Sequence, residues 1–141
     1  MRPEPQIQAY LDAQPEPKRS DLRALDAAIR ALAPQAELWF LDGRDATGKV
    51  VSNPSVGYGT RTQTHADGSS RPFYRVGLSA NTAGISVYLF GMPTKDHLAG
   101  TYGPDLGQAT VTGYCIKFRN LKAIHLPVLL AAIREALARP A

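Results

Sequence analysis

The stretch from residue 55 to residue 90, SVGYGTRTQTHADGSSRPFYRVGLSANTAGISVYLF, decides the fold. Three of its segments, SVGYGTRTQTH (55–65), RPFYRVGLSAN (71–81) and GISVYLF (84–90), are rich in β-branched and aromatic residues. Between them stand the turn signals ADGSS and NTAG, so the stretch reads as three consecutive antiparallel strands. In the third, Ile85, Val87 and Leu89 alternate with Ser86, Tyr88 and Phe90, which assigns the first set to a core and leaves a mixed polar and aromatic face behind it.

Working outward, AELWFLDGR (36–44) predicts an earlier strand, with Asp45 to Pro54 looping out of it and Trp39 facing the core. Before it, the pattern changes to helical spacing. Ile7, Tyr10 and Leu11 share one side of a first helix closed by Pro15 and Pro17. Leu22, Leu25, Ile29 and Leu32 form the stripe of a second, capped by Ser20, ended at Ala33-Pro34, with Arg23, Asp26 and Arg30 on its solvent side. After the strands, Thr94 can cap a short helix over Lys95 to Tyr102 that stops at the glycines and Pro104. VTGYCIKFRN (111–120) reads as one more strand, and Leu126, Leu129, Leu130, Ile133 and Leu137, with Pro127 in the first turn, make a closing helix. The expected fold is α+β: an antiparallel sheet of about five strands with helices mainly on one face, in the order ααββββαβα, and a single domain over 1–141.

Composition limits the function classes. The 141 residues are 44% hydrophobic and 20% charged, ordinary for a globular chain. No apolar run approaches a membrane span, and MRPEPQIQAY lacks the apolar segment of a signal peptide, so a cytoplasmic location is expected, with no membrane partner. A single cysteine fits a reducing compartment. The net charge of +4 admits anionic partners. The basic residues are scattered, however, with Lys18-Arg19 the longest run, which speaks against nucleic acid. Oligomeric state is not readable from these features.

Cys115 is the one thiol, and in a continuous strand Val111, Gly113, Cys115, Lys117 and Arg119 would share a face, where Lys117 could lower the thiol pKa. No histidine is placed by spacing to serve as its base, and His65, His97 and His125 show no metal-ligand spacing. The small-residue reading of Cys115, on the wall of a sheet, is the simpler one. VGYGTRT and TYGPDLG match neither a phosphate loop nor a dinucleotide fingerprint. Gly57 and Gly59 instead suggest a bulge or the close approach of another backbone or a ligand. Next to them, Tyr58, Arg61, Arg75 and Tyr88, joined by Cys115 and Lys117, form the expected ligand-binding set for a small, anionic molecule on the open face. The competing reading is a solvated face whose long side chains shield the strands. No catalytic residue, metal ligand or cofactor follows from the residues, and the leading expectation is a non-enzymatic binding or accessory protein, ahead of a cysteine-dependent enzyme.

VGYG (56–59), HADGSSRPFYRVGLSANTAGISVYLFG (65–91) and GYCIKFRNLKAIHLPVLLAAIREAL (113–137) together resemble the YdhG-like family of small bacterial proteins, a domain of unknown function, over nearly the whole chain. The resemblance implies an intracellular α+β domain, and, because some relatives are described as frataxin-like iron chaperones, it implies iron as a possible ligand. Such binding uses clustered carboxylates. Here Asp12, Glu16, Asp21 and Asp26 are interleaved with Lys18, Arg19, Arg23 and Arg30, and Gly91-Met92-Pro93 comes after the strands, where many relatives carry it after the second helix.

Overall fold

A computed structural model of the chain describes residues 3–139. Helices α1 (Pro3–Asp12) and α2 (Lys18–Leu32) precede strands β1 (Leu38–Leu41), β2 (Ser55–Thr64), β3 (Ser70–Asn81) and β4 (Gly84–Leu89). Two short helices, α3 (His97–Thr101) and α4 (Gly103–Leu106), lead into β5 (Ala109–Thr112) and β6 (Cys115–Phe118), and α5 (Leu126–Ala138) follows a 3-10 turn. All neighbouring strands are antiparallel, in the order β1-β2-β3-β4-β6-β5. The class is the expected α+β. Among the described residues no helix is long and apolar enough to cross a membrane.

The sheet has six strands, where about five were expected, because VTGYCIKFRN is a hairpin. Thr112 pairs with Cys115 across the two-residue turn Gly113-Tyr114, and Gly113 supplies the positive φ (53°) that such turns require at their first central position. The reversal corrects the expected face: Val111 pairs with Ile116 on the core side, while Thr112, Cys115, Thr110 and Lys117 lie on the other.

Alternation carries Val56 and Tyr58, Val76 and Leu78, Ile85, Val87 and Leu89, and Ile116 and Phe118 to one side of the sheet, all buried. Against them pack Ile7 and Leu11 of α1, Leu22, Leu25 and Ile29 of α2, Leu98, Leu106, and Leu129 and Ile133 of α5, so the helices form one layer over one face. Each of these side chains contributes about 1.5–3 kcal/mol by leaving water.

Helix α2 departs from expectation twice. It begins at Lys18, and Ser20 is not its cap; Glu16 instead accepts from the Ser20 N–H and hydroxyl, both at 2.9 Å. Asp26, assigned to the solvent side, is only 8% exposed. It accepts from the Tyr58 hydroxyl at 2.5 Å and from Arg30 Nε at 3.0 Å, and Arg30 holds Glu4 of α1 bidentately at 2.7 and 2.8 Å. One polar chain thus ties α1, α2 and β2. The short helix expected over Lys95 to Tyr102 is confined to α3, uncapped by Thr94, and Pro104 opens α4 where it was expected to stop the helix.

Candidate ligand-binding face

The side of the sheet away from the helices carries a row of aromatic rings. Trp39 lies 6.1 Å from Phe73 between centroids, Phe73 4.3 Å from Tyr74 and 5.7 Å from Phe90, and Phe90 6.3 Å from Tyr88 and 6.4 Å from Tyr114. Trp39, expected in the core, is half-buried in this row, its Nε1 donating to Thr60 Oγ1 at 3.2 Å. The charged residues of the six strands are Arg61, Arg71, Arg75 and Lys117, with no carboxylate among them.

A positive φ at Gly59 marks the point where the residues that reach this face change. Its φ is +76°, its N–H extends the β1–β2 register by one residue to the Glu37 carbonyl at 2.8 Å, and β2–β3 pairing passes in unchanged register from Tyr58↔Val76 to Thr60↔Tyr74. The positive φ is the reason a glycine stands there. Beyond this point the alternation of β3 inverts: Tyr74 emerges on the open face. Its ring lies across Gly57 and Gly77, where a Cβ would meet it at 2.2 and 2.6 Å, and its hydroxyl is 3.3 Å from Ser55 Oγ. The close approach that Gly57 signals is therefore to the protein's own tyrosine.

The six residues expected to bind a ligand divide accordingly. Tyr88, Cys115 and Lys117 are brought together: Tyr88 pairs with Cys115, Ser86 with Lys117, and all face away from the helices. Tyr58 is on the helix side, 1% exposed and committed to Asp26. Burial, then the Asp26 carboxylate, pushes its phenol far above the ordinary value, so it stays a donor. Arg75 has also crossed to the helix side, donating to the Thr60 carbonyl at 3.0 Å and to the Arg139 carbonyl at the end of α5. Arg61 stands apart, beside Gly91, in a recess of about 400 Å³ with Gln63, Phe90 and Tyr114, and among the described residues its buried Nε has no partner.

Around the open end of Tyr88 lies a groove of about 650 Å³ against the β3–β4 turn, lined by Asn53, Ser86, Tyr88, Gln108, Lys117 and Arg119 among others. Sequence reading missed Asn53 and Gln108, which come from loops, and also Phe73, Tyr74 and Tyr114. The density of aromatic residues in 73–90 was the available signal for the rings. Burial pushes the Cys115 thiol up, against the pull of the neighbouring Lys117 ammonium, so Lys117 does not activate it as its spacing suggested. Burial likewise raises the Tyr88 phenol.

A second polar cluster lies on α5. Glu135 accepts from the Tyr102 hydroxyl at 2.6 Å and from Arg139 Nη1 at 2.9 Å, and His97 Nε2 is 3.0 Å from it, while Arg139 Nε donates to the Gly91 carbonyl at 2.8 Å. Burial works to raise the Glu135 carboxyl, but Tyr102, His97 and Arg139 hold it below the ordinary carboxylate range. Burial and Glu135 push the Tyr102 phenol up to about 12. These donors all serve one carboxylate, so the cluster ties α5 to α3 and to the end of β4.

The carboxylates that the iron reading would use do not fit that role. Asp12 pairs with Arg23, Glu16 with Ser20 and Arg19, Asp21 accepts the Leu121 N–H at 3.1 Å, and Asp26 holds Tyr58 and Arg30. Among the described residues no three His, Cys, Asp or Glu side chains converge as a metal site. Comparison with protein-family models, with curated proteins and with solved structures gives no match.

Proposed function

We propose that the protein is a non-enzymatic binding domain that holds a small anionic molecule against the open face of its sheet. One observation carries this reading: a row of aromatic rings across the open face with the exposed cations Lys117 and Arg119 at its edge, neither of which has an ion-pair partner among the described residues. Rings supply apolar contact area and flat faces for stacking, and unopposed cations supply attraction for a negative group. Chemistry needs more than that: a nucleophile with a base in reach, which Cys115, with its raised pKa, does not have in this face. The sequence resemblance supports placing the protein in the YdhG-like group, and the composition supports a cytoplasmic setting.

The test is a thermal-shift screen of the whole chain against anionic metabolites with and without aromatic rings. The expected result is a concentration-dependent rise in Tm with ring-bearing anions, as mass action requires of any ligand selective for the folded state. A screen in which no anion shifts Tm overturns the proposal. Ferrous iron belongs in the same screen under anaerobic conditions; stabilisation by iron alone would replace this reading with the iron-chaperone one.

A further inference from the structure

We infer that the ligand is a nucleoside phosphate, seated in the groove beside the β3–β4 turn with its ring against Tyr88 and its phosphate between Lys117 and Arg119. The inference rests on the proposed binding role of the open face and adds to it a ligand class and a location.

Charge is the first argument. Lys117 faces outward opposite Ser86, and Arg119 follows two residues on. Both are exposed, and among the described residues neither has an ion-pair partner. Among the described residues no carboxylate lines the groove. An adjoining hollow of about 680 Å³ shares Thr82, Ala83, Gln108 and Arg119 with it and adds Lys18 and Lys122. Its one carboxylate, Glu16, is already bound to Ser20 and Arg19. Four cationic side chains therefore lie around the β3–β4 turn with no free counter-charge among the described residues, and a dianionic phosphate is the group that such a set holds best. A second copy of the chain docked face to face here would bring its own cations against these, which disfavours a two-fold contact through this face.

The rings and amides specify the rest of the molecule. The Tyr88 ring is half-exposed at the groove, and Phe90 backs it in a parallel arrangement, 5° between planes. A flat heterocycle stacks on such a surface whatever its identity. Among the described residues the side-chain amides of Asn53 and Gln108 make no hydrogen bond within the protein, which leaves each a donor and an acceptor for a base edge. The groove volume is within the range of small-molecule sites, roughly 300–1,000 Å³.

Titration calorimetry with AMP, adenosine and inorganic phosphate tests this, with a short oligothymidylate as a further arm and amide chemical-shift mapping to locate each ligand. AMP is expected to bind more tightly than adenosine or phosphate and to shift Ser86, Lys117 and Arg119. A hydrogen bond to a charged group carries enough energy that Lys117→Ala should weaken AMP about tenfold while leaving adenosine unchanged. Tyr88→Ala should weaken AMP and adenosine alike, and Arg71→Ala, out on the β2–β3 hairpin, neither. If Tyr88→Ala does not fold, Lys117→Ala, which alters an exposed side chain, carries the test. Tighter binding of the oligonucleotide, lost in the same variants, supports the inference with a strand end as the source of the nucleotide. Equal affinity for AMP and phosphate, AMP binding that survives Lys117→Ala, or shifts confined to another surface overturns it. If other ring-bearing anions raise Tm and nucleotides do not, the inference falls and the binding role stands; if no anion does, both fall.

Discussion

Tyr58→Phe deletes one oxygen atom and isolates the contribution of the polar chain between β2 and the helices. The lost donor lies 2.5 Å from Asp26 Oδ1, at a carboxylate 8% exposed, so water cannot replace it without opening the α2–sheet interface. Arg30 Nε, at 3.0 Å, still neutralises the charge, which keeps the cost below that of an unpaired buried ion. A hydrogen bond to a charged group is worth about 1.5–3 kcal/mol, and with Arg30 in place about 2 kcal/mol is expected. For a chain of this length that is a fall in Tm of roughly 6–8 °C, or a urea midpoint lower by about 1 M with the slope unchanged. A double-mutant cycle with Asp26→Asn should show coupling of at least about 1 kcal/mol, because the two side chains share the bond. A Tm within about 2 °C of the parent, or strict additivity in the cycle, would refute the reasoning and assign the burial of Asp26 to Arg30 alone.

Two further outcomes follow from the open face. Gly57→Ala would put a methyl group 2.2 Å from the Tyr74 ring and should cost about 1–3 kcal/mol by urea unfolding; most of that loss should vanish in a Tyr74→Ala background, and persistence there would show the strain to lie in the backbone. Because burial raises the Cys115 thiol, iodoacetamide should label the native protein far more slowly at pH 7 than the urea-unfolded chain. The rate should rise only as pH passes above the ordinary thiol value of about 8.5, and equal rates at pH 7 would contradict the assignment.

The parts of the fold that were legible in the sequence are those written in a period. Ile85, Val87 and Leu89 report a half-buried strand, and Leu22, Leu25 and Ile29 report a helix stripe, because each pattern repeats what the backbone geometry imposes. Two errors were readable in principle. Asp26 falls four residues after Leu22 and three before Ile29, on the apolar stripe itself, and Tyr58 shares the parity of Val56. Other features depend on single backbone angles. The turn at Gly113-Tyr114 lacks the usual Asn-Gly or Asp-Gly signature, so VTGYCIKF scans as unbroken alternation. The inversion that sends Arg75 to α5 and Tyr74 to the open face lies opposite a single positive φ at Gly59, and composition does not encode it. For the candidate site, alternation was enough to place Tyr88 on the open face, where the pairing of β4 with β6 sets Cys115 and Lys117 beside it; the loop residues Asn53 and Gln108 were not legible, since only the tertiary fold brings them to the same groove.

The β2–β3 pairing continues from Thr60↔Tyr74 to Thr64↔Ser70, whereas β1 stops pairing at Tyr58 and β4 at Val76. That length of hairpin is a two-stranded ribbon with no neighbour on either edge, and ribbons of this kind are marginal in water on their own. It is held at its base by Arg75 gripping the Thr60 and Arg139 carbonyls and by Phe73 against Trp39 and Phe90. The sheet consequently has two tiers of persistence. Amide protons of the ribbon can trade with solvent through local opening at a small fraction of the global unfolding free energy, while those of Val76, Leu78, Val87 and Ile116 wait for the whole core to come apart.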